Sequence, residues 1–226
     1  MSAALLVIAK ALVPGRVKTR LTPPLCPEQA AALARAALED TLAAVERSRL
    51  ASRRVVVLDG EPDGWLPAGF ELIAQRGDGL AERLAAAFED IGGPALLVAM
   101  DTPQVTPELL DAGLAGLAHG ADAVFGPATD GGYWTIGLAR SDARVFDGVP
   151  MSRPHTGAAQ RARLAALDLE THYLPLLRDV DTYEDARSVA AAAPGGRFAA
   201  ALRDLTRYST AEPAHSAPVI SSQRAR

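Results

Sequence analysis

Ala3-Ala-Leu-Leu-Val-Ile-Ala9-Lys10-Ala-Leu-Val-Pro14-Gly15-Arg16-Val-Lys18-Thr-Arg20-Leu21 runs for its whole length without an acid, the first carboxylate of the chain being Glu28. A short apolar run that empties into a loop carrying Pro14, Gly15 and four cations, Lys10, Arg16, Lys18 and Arg20, reads as a strand followed by a phosphate-binding segment. Such a loop would neutralise a diphosphate or triphosphate. From Lys10 to Cys26 the connection is also longer than most, which points to function. A solvated loop with scattered cations is the plainer alternative. Against it stand Gly15, which permits close backbone approach, and the lack of any local acidic partner. Neither the spacing of a P-loop nor the three-glycine dinucleotide fingerprint is present.

Working outward, apolar runs alternate with longer helical patterns, the order of a mostly parallel sheet covered on both faces. Strands are predicted at Leu5 to Ala9, Arg54 to Asp59, Glu71 to Ala74, Ala95 to Met100, Ala123 to Gly126 and Tyr133 to Leu138. Helices are predicted from Pro27 to Leu50, Leu80 to Asp90, Pro107 to Leu117, Pro154 to Leu167, Tyr183 to Ala192 and Gly196 to about Leu205. In the first, Ala34, Leu38, Leu42 and Val45 recur on one face, and Pro27 suits its first turn. Residues 1–208 are read as one domain. The stretch 209–226, rich in Pro, Ser and Ala without apolar periodicity, is expected to be a disordered tail.

The chain has 226 residues, 49% hydrophobic and 22% charged, ample for a well-buried core and unlike a disordered protein. Its net charge of −4 argues against a nucleic-acid partner, while the acid-free opening concentrates positive potential where a small anion could use it. One cysteine, Cys26, excludes an internal disulfide. With no signal-peptide pattern and no apolar run of about 18 residues, a cytoplasmic protein without membrane contact is expected, and a homodimer is allowed.

In an open α/β sheet, ligands bind beyond the carboxyl ends of the strands. Four segments sit there. The first is the basic loop. In the second, Gln75-Arg-Gly77-Asp-Gly79-Leu-Ala-Glu-Arg83, backbone N–H groups before a helix could hold an anion or a base edge, although an ordinary strand-to-helix turn explains it equally well. The third is Ala95-Leu-Leu-Val-Ala-Met-Asp101-Thr-Pro103, which delivers a carboxylate suited to Mg²⁺; the alternative, a turn cap, is weakened because Thr106 already provides the helix cap. In the fourth, Gly126-Pro-Ala-Thr-Asp130-Gly-Gly-Tyr133, Asp130 could accept a proton or hydrogen-bond a sugar, and Asp-Gly is also a strong hairpin signal. Later, Arg178-Asp179-Val-Asp181-Thr182 leads into a helix capped by Thr182 with Asp185, leaving Asp179 and Asp181 without a structural role. If the chain returns to the mouth of the sheet, Asp181 could complete a Mg²⁺ site begun by Asp101.

Taken together and in order, these segments resemble a bacterial family of GT-A-fold glycosyltransferases, of the type associated with arsenosugar biosynthesis or with radical SAM and selenium gene neighbourhoods. The resemblance spans residues 4 to about 207 and extends to nucleotidyltransferases such as phospholactate guanylyltransferase, whose phosphate loop is similar to Lys18-Thr19-Arg20-Leu21. It implies an α/β, Rossmann-like, mostly parallel sheet flanked by helices. It also implies phosphate contacts from Lys10, Gly15, Lys18, Arg20, Gly77, Gly79 and Arg83, and an acceptor site at Asp130 and Tyr133. By the same resemblance Asp101 is the metal-binding acid; where many GT-A glycosyltransferases have Asp-x-Asp this chain has Asp101-Thr102-Pro103, so a second acid must come from elsewhere or be absent, and Asp181 is similar to the late metal ligand of nucleotidyltransferases. The family pattern is broken at Leu12, at Met151-Ser-Arg-Pro-His155 and at Gln160, which puts acceptor recognition in question.

The implied activity is Mg²⁺- or Mn²⁺-dependent glycosyl transfer from a nucleotide-diphosphate sugar to a small-molecule acceptor. Nucleotidyl transfer from an NTP to a phosphorylated small molecule, with loss of pyrophosphate, is the principal alternative. An inactive nucleotide-binding regulatory module is the third.

Overall fold

The computed structural model describes residues 2–211. Seven strands form one sheet: β1 (Ala3–Lys10), β2 (Ala51–Asp59), β3 (Glu71–Ala74), β4 (Ala95–Ala99), β5 (Ala123–Pro127), β6 (Tyr133–Leu138) and β7 (Thr171–Tyr173). They are ordered β3-β2-β1-β4-β6-β5-β7, and every pairing is parallel except those of β6, which runs antiparallel to both neighbours. Among the described residues six α-helices accompany them: α1 (Pro27–Arg47), α2 (Leu80–Ile91), α3 (Pro107–Ala118), α4 (Thr156–Ala166), α5 (Tyr183–Ala192) and α6 (Arg197–Ala211).

Strand β1 shows why the layers form. Leu5, Val7 and Ala9 pack on the face covered by α1 and α3, whereas Ala4 and Leu6 pack on the face covered by α2, α4 and a 3-10 turn at Ala143–Phe146. A strand buried on both faces cannot alternate polar and apolar residues, hence its continuous run. Helix α1 is also buried twice over. Ala31, Ala34, Leu38, Leu42 and Val45 face the sheet, and Ala30, Leu33 and Ala37 face α5 and α6 in a third apolar cluster. Small alanines on both stripes let it approach both layers.

Several expected boundaries move. α1 ends at Arg47 rather than Leu50, because the Asp111 carboxylate accepts from the Ser48 hydroxyl and the Arg49 and Leu50 N–H groups and turns the chain into β2 at once. β2 begins at Ala51 rather than Arg54: Arg53 pairs with Glu71 on the neighbouring strand, and Arg54 donates to carbonyls at the end of α1. β7 was not expected at all; it is three residues long and mostly exposed at the edge of the sheet. α6 continues to Ala211, three residues into the stretch expected as a tail, and the rest of that stretch lies outside the described residues.

The connection from β5 to β6 carries Asp130 and is fixed from outside. Gly131 has φ +90°, and a Cβ placed on it would lie 1.8 Å from the Pro154 carbonyl oxygen. The Gly157 N–H donates to the Gly131 carbonyl at 2.7 Å, clamping the loop to the start of α4. Gly120 shares the positive φ (+109°) but has open space around it. Gly131→Ala should therefore cost about 2–4 kcal/mol in urea unfolding, against about 1 kcal/mol for Gly120→Ala, because only the first adds a backbone collision to backbone strain. Equal losses would show that the clamp contributes nothing.

Candidate active site

Strands β1 and β4 lie side by side, so the loop after one meets the residues after the other. Val17 and Leu21 are buried and anchor the basic loop on either side of Lys18. Lys18 itself adopts the left-handed conformation (φ 47°, ψ 42°), uncommon for a residue with a side chain, and turns its ammonium inward. Its Nζ lies 2.6 Å from Asp101 Oδ2 and 3.3 Å from Asp181 Oδ1, while Arg20 Nη1 donates to Asp181 Oδ2 at 2.9 Å. Two carboxylates eighty residues apart in the chain thus share one lysine.

Asp181 arrives by a return of the chain. After β7, Ala128 and Leu177 form a parallel bridge beyond the end of β5, Leu177 N–H donates to the Pro127 carbonyl, and Val180 N–H donates to the Asp101 carbonyl at 2.9 Å. Val180 is buried against α1, α5 and α6. In an extended segment its neighbours face the opposite way, so Asp179 and Asp181 both open onto the mouth of the sheet. Asp130, Asp179 and Asp181 each offer an oxygen within 4.8 Å of the others. Asp130 Oδ1 also accepts the Gly132 N–H at 2.7 Å, which holds the carboxylate in its turn.

The charges respond to one another. Burial pulls the Lys18 ammonium toward a lower pKa, but Asp101 and Asp181 outweigh it and hold the group above its ordinary value. Asp179 has no such cation. Burial first, then the fields of Asp101, Asp130 and Asp181, lift its carboxyl to about 7.

Of the expected phosphate contacts, Lys10, Lys18 and Arg20 line one pocket of about 280 Å³ together with Arg16, Asp101 and Asp181. Gly15 sits at φ +75° in the same loop, with open space where a side chain would be. An adjoining pocket of about 470 Å³ shares Lys10 and Arg16 and is also lined by Leu12, Asp59, Gly60 and Asp63. Gly77, Gly79 and Arg83 are not brought to Lys18. Arg83 is engaged with Asp59 at 2.9 Å, Gln75 and the Gly77 carbonyl, Gly79 starts α2, and Gly77 borders a separate groove along that helix.

Tyr133 begins β6 with its hydroxyl 3.4 Å from Gln160 Oε1 and 3.8 Å from Met151 Sδ, and burial pushes the phenol's pKa up. Two of the positions that break the family pattern therefore meet at this one hydroxyl. His155 is exposed, and its side chain caps nothing. Asp179 is the site residue that the sequence reading did not select; its signal was the Asp179-Val-Asp181 alternation around an apolar residue.

Sheet order, antiparallel β6 and the acids gathered at the carboxyl edge define the fold of nucleotide-diphospho-sugar transferases. The chain belongs to the family described as "uncharacterized protein conserved in bacteria" (DUF2064), whose model matches residues 30–153. A Desulfovibrio desulfuricans G20 protein provisionally described as a nucleotide-diphospho-sugar transferase is 30% identical, covers 92% of this chain and 96% of its own, and superposes with a TM-score of 0.81. CMP:2-keto-3-deoxy-manno-octonic acid synthetase complexed with CTP shares the fold at 15% identity over 86% of this chain and 99% of its own, with a TM-score of 0.56. So does Rv0371c of Mycobacterium tuberculosis H37Rv complexed with manganese, at 16% identity over 84% and 98% and a TM-score of 0.52. No curated protein matches the sequence. Among the described residues no helix is long and apolar enough to cross a membrane.

The raised Asp179 pKa has a sign that can be measured. An acid that binds its proton more tightly when folded stabilises the protein below the unfolded pKa of about 3.9, and that contribution is lost as pH rises through 7. Asp179→Asn should raise metal-free stability at pH 8 by about 1–2 kcal/mol, reduced from the full shift because the group is partly solvated, and should change little at pH 4. Thermal unfolding at the two pH values checks this; equal effects at both would remove the electrostatic cause.

Proposed function

We propose that the protein is a divalent-metal-dependent transferase that takes a glycosyl group from a nucleotide-diphosphate sugar and delivers it to a small-molecule acceptor. The observation that carries this reading is the convergence of Asp101 and Asp181 on the Lys18 ammonium, with Asp130 and Asp179 grouped beside Asp181, next to a pocket lined by Lys10, Arg16 and Arg20. The similarity to the Desulfovibrio protein supports it.

The residues fit a hard cation. Carboxylate oxygens from separate segments converge, and a lysine ammonium already occupies the gap between Asp101 and Asp181. Asp101 and Asp181 would hold Mg²⁺ or Mn²⁺, with Asp179 adjacent. When bound, the ion supplies neutralisation of the charge that develops on the departing diphosphate.

Lys10, Lys18 and Arg20 would bind and orient the diphosphate, and in a partly desolvated pocket each contact stabilises the leaving group more than it would in water. Asp130 would orient the acceptor hydroxyl. As the acceptor oxygen bonds to the anomeric carbon and the bond from that carbon to the β-phosphate oxygen breaks, Asp130 accepts the proton. Tyr133, its hydroxyl engaged by Gln160 and Met151, would offer ring surface to the acceptor rather than a hydrogen bond.

A second reading, nucleotidyl transfer, is favoured by one feature. Asp101 and Asp181 come from two distant segments and bracket a lysine, and Asp101-Thr102-Pro103 carries no second acid after β4, an arrangement equally able to hold a triphosphate while a substrate phosphate attacks its α-phosphorus. The products separate the two. Release of a nucleoside diphosphate from a nucleotide sugar supports glycosyl transfer, and release of pyrophosphate from an NTP supports the second reading. In either case Asp101→Asn should lower kcat by about 10²-fold or more, and chelation should abolish turnover. Near-normal rates in the variant would remove Asp101 from the metal site.

A further inference from the structure

We infer that Lys18 is a resident counter-cation that competes with the divalent metal for Asp101 and Asp181, so that metal binds well only when this ammonium leaves for the phosphates. The inference rests on the metal reading proposed above and concerns what regulates that site.

Three observations carry it. Lys18 Nζ contacts Asp101 Oδ2 at 2.6 Å and Asp181 Oδ1 at 3.3 Å, oxygens that a metal at that position would need. Mg²⁺ requires oxygen contacts of about 2.0–2.1 Å, so an ammonium and a divalent ion cannot occupy this gap together without strong repulsion. Secondly, the ammonium is held in place. Its side chain is only 12% exposed, and the left-handed backbone that aims it inward persists because Val17 and Leu21 are buried on both sides. Arg20, by contrast, reaches Asp181 with a side chain 71% exposed, a contact that water and salt replace easily.

Thirdly, Lys18 has somewhere else to go. It lines the pocket shared with Lys10, Arg16 and Arg20, and its flexible four-carbon stem can swing toward an anion seated there. An arriving diphosphate would draw the ammonium off the carboxylates and leave both free for metal. Anion and metal then favour each other's binding through one moving charge, a reciprocal coupling. The lysine also offsets the charge of Asp101 and Asp181, the two acids it pairs with.

A purely structural lysine predicts the opposite response to its removal, which makes Mn²⁺ alone the informative probe. Free Mn²⁺ is titrated by electron paramagnetic resonance against wild type, Lys18→Met and Asp101→Asn, with no nucleotide added. Lys18→Met should bind Mn²⁺ at least tenfold more tightly than wild type, a gain of about 1.4 kcal/mol, and Mn²⁺ should raise its melting temperature more than that of wild type. Lys18→Gln reads the same comparison should Lys18→Met not fold, and Lys18→Arg, keeping the charge, should stay weak. Binding by Lys18→Met and Lys18→Gln no tighter than wild type, with binding lost in Asp101→Asn, overturns the competition but leaves the metal site intact. No binding by any of them overturns both.

Discussion

Two backbone contacts made after β7 hold the carboxyl edge of the sheet together: Leu177 bridging to Ala128, and Val180 N–H donating to the Asp101 carbonyl. Because β6 is inserted antiparallel between β4 and β5, the end of β4 and the β5–β6 connection lie one strand apart. Only a segment crossing that gap can bring acids from both sides into one group. The crossing uses backbone groups that the sheet edge leaves unpaired, so it satisfies donors and acceptors while it assembles the site. Val180, packed against α1, α5 and α6, locks its register.

Bringing four carboxylates together costs electrostatic free energy, and the molecule meets that cost unevenly. Asp101 and Asp181 share Lys18, and Asp181 also has Arg20. At Asp179 burial and like charge outweigh a backbone hydrogen bond to the carboxylate, and it retains its proton toward neutral pH. The unliganded site is therefore net negative beside a net positive loop. The two meet at Lys18 and Arg20, whose pairs with Asp101 and Asp181 join the loop to the acids.

Much of the architecture was legible because parallel strands buried on both faces leave unbroken apolar runs, as at Leu5 to Ala9 and Ala95 to Met100. β7 was not legible. Three residues at an exposed edge carry no period, and what sets them is the return of the chain toward Asp101. The junction of α1 and β2 was misplaced because Asp111, more than sixty residues away, ends the helix, a contact that no local pattern encodes. Asp101, Lys18 and Asp181 could be selected from the order of motifs, but their meeting follows from the adjacency of β1 and β4 and from the return of the chain after β7. That Arg83 pairs with Asp59 and Gln75 follows from the neighbouring ends of β2 and β3, which no local pattern encodes.

The buried anchors of the basic loop bear on affinity. Val17, Leu21 and Leu25 fix this long connection to two apolar clusters, so its backbone is ordered by folding rather than by a ligand. A loop that had to order itself around a diphosphate would lose about 1–2 kcal/mol of conformational entropy per residue at that moment. Here that entropy is already spent when the core forms. An anion bound at this rim would meet a backbone already fixed by Val17, Leu21 and Leu25.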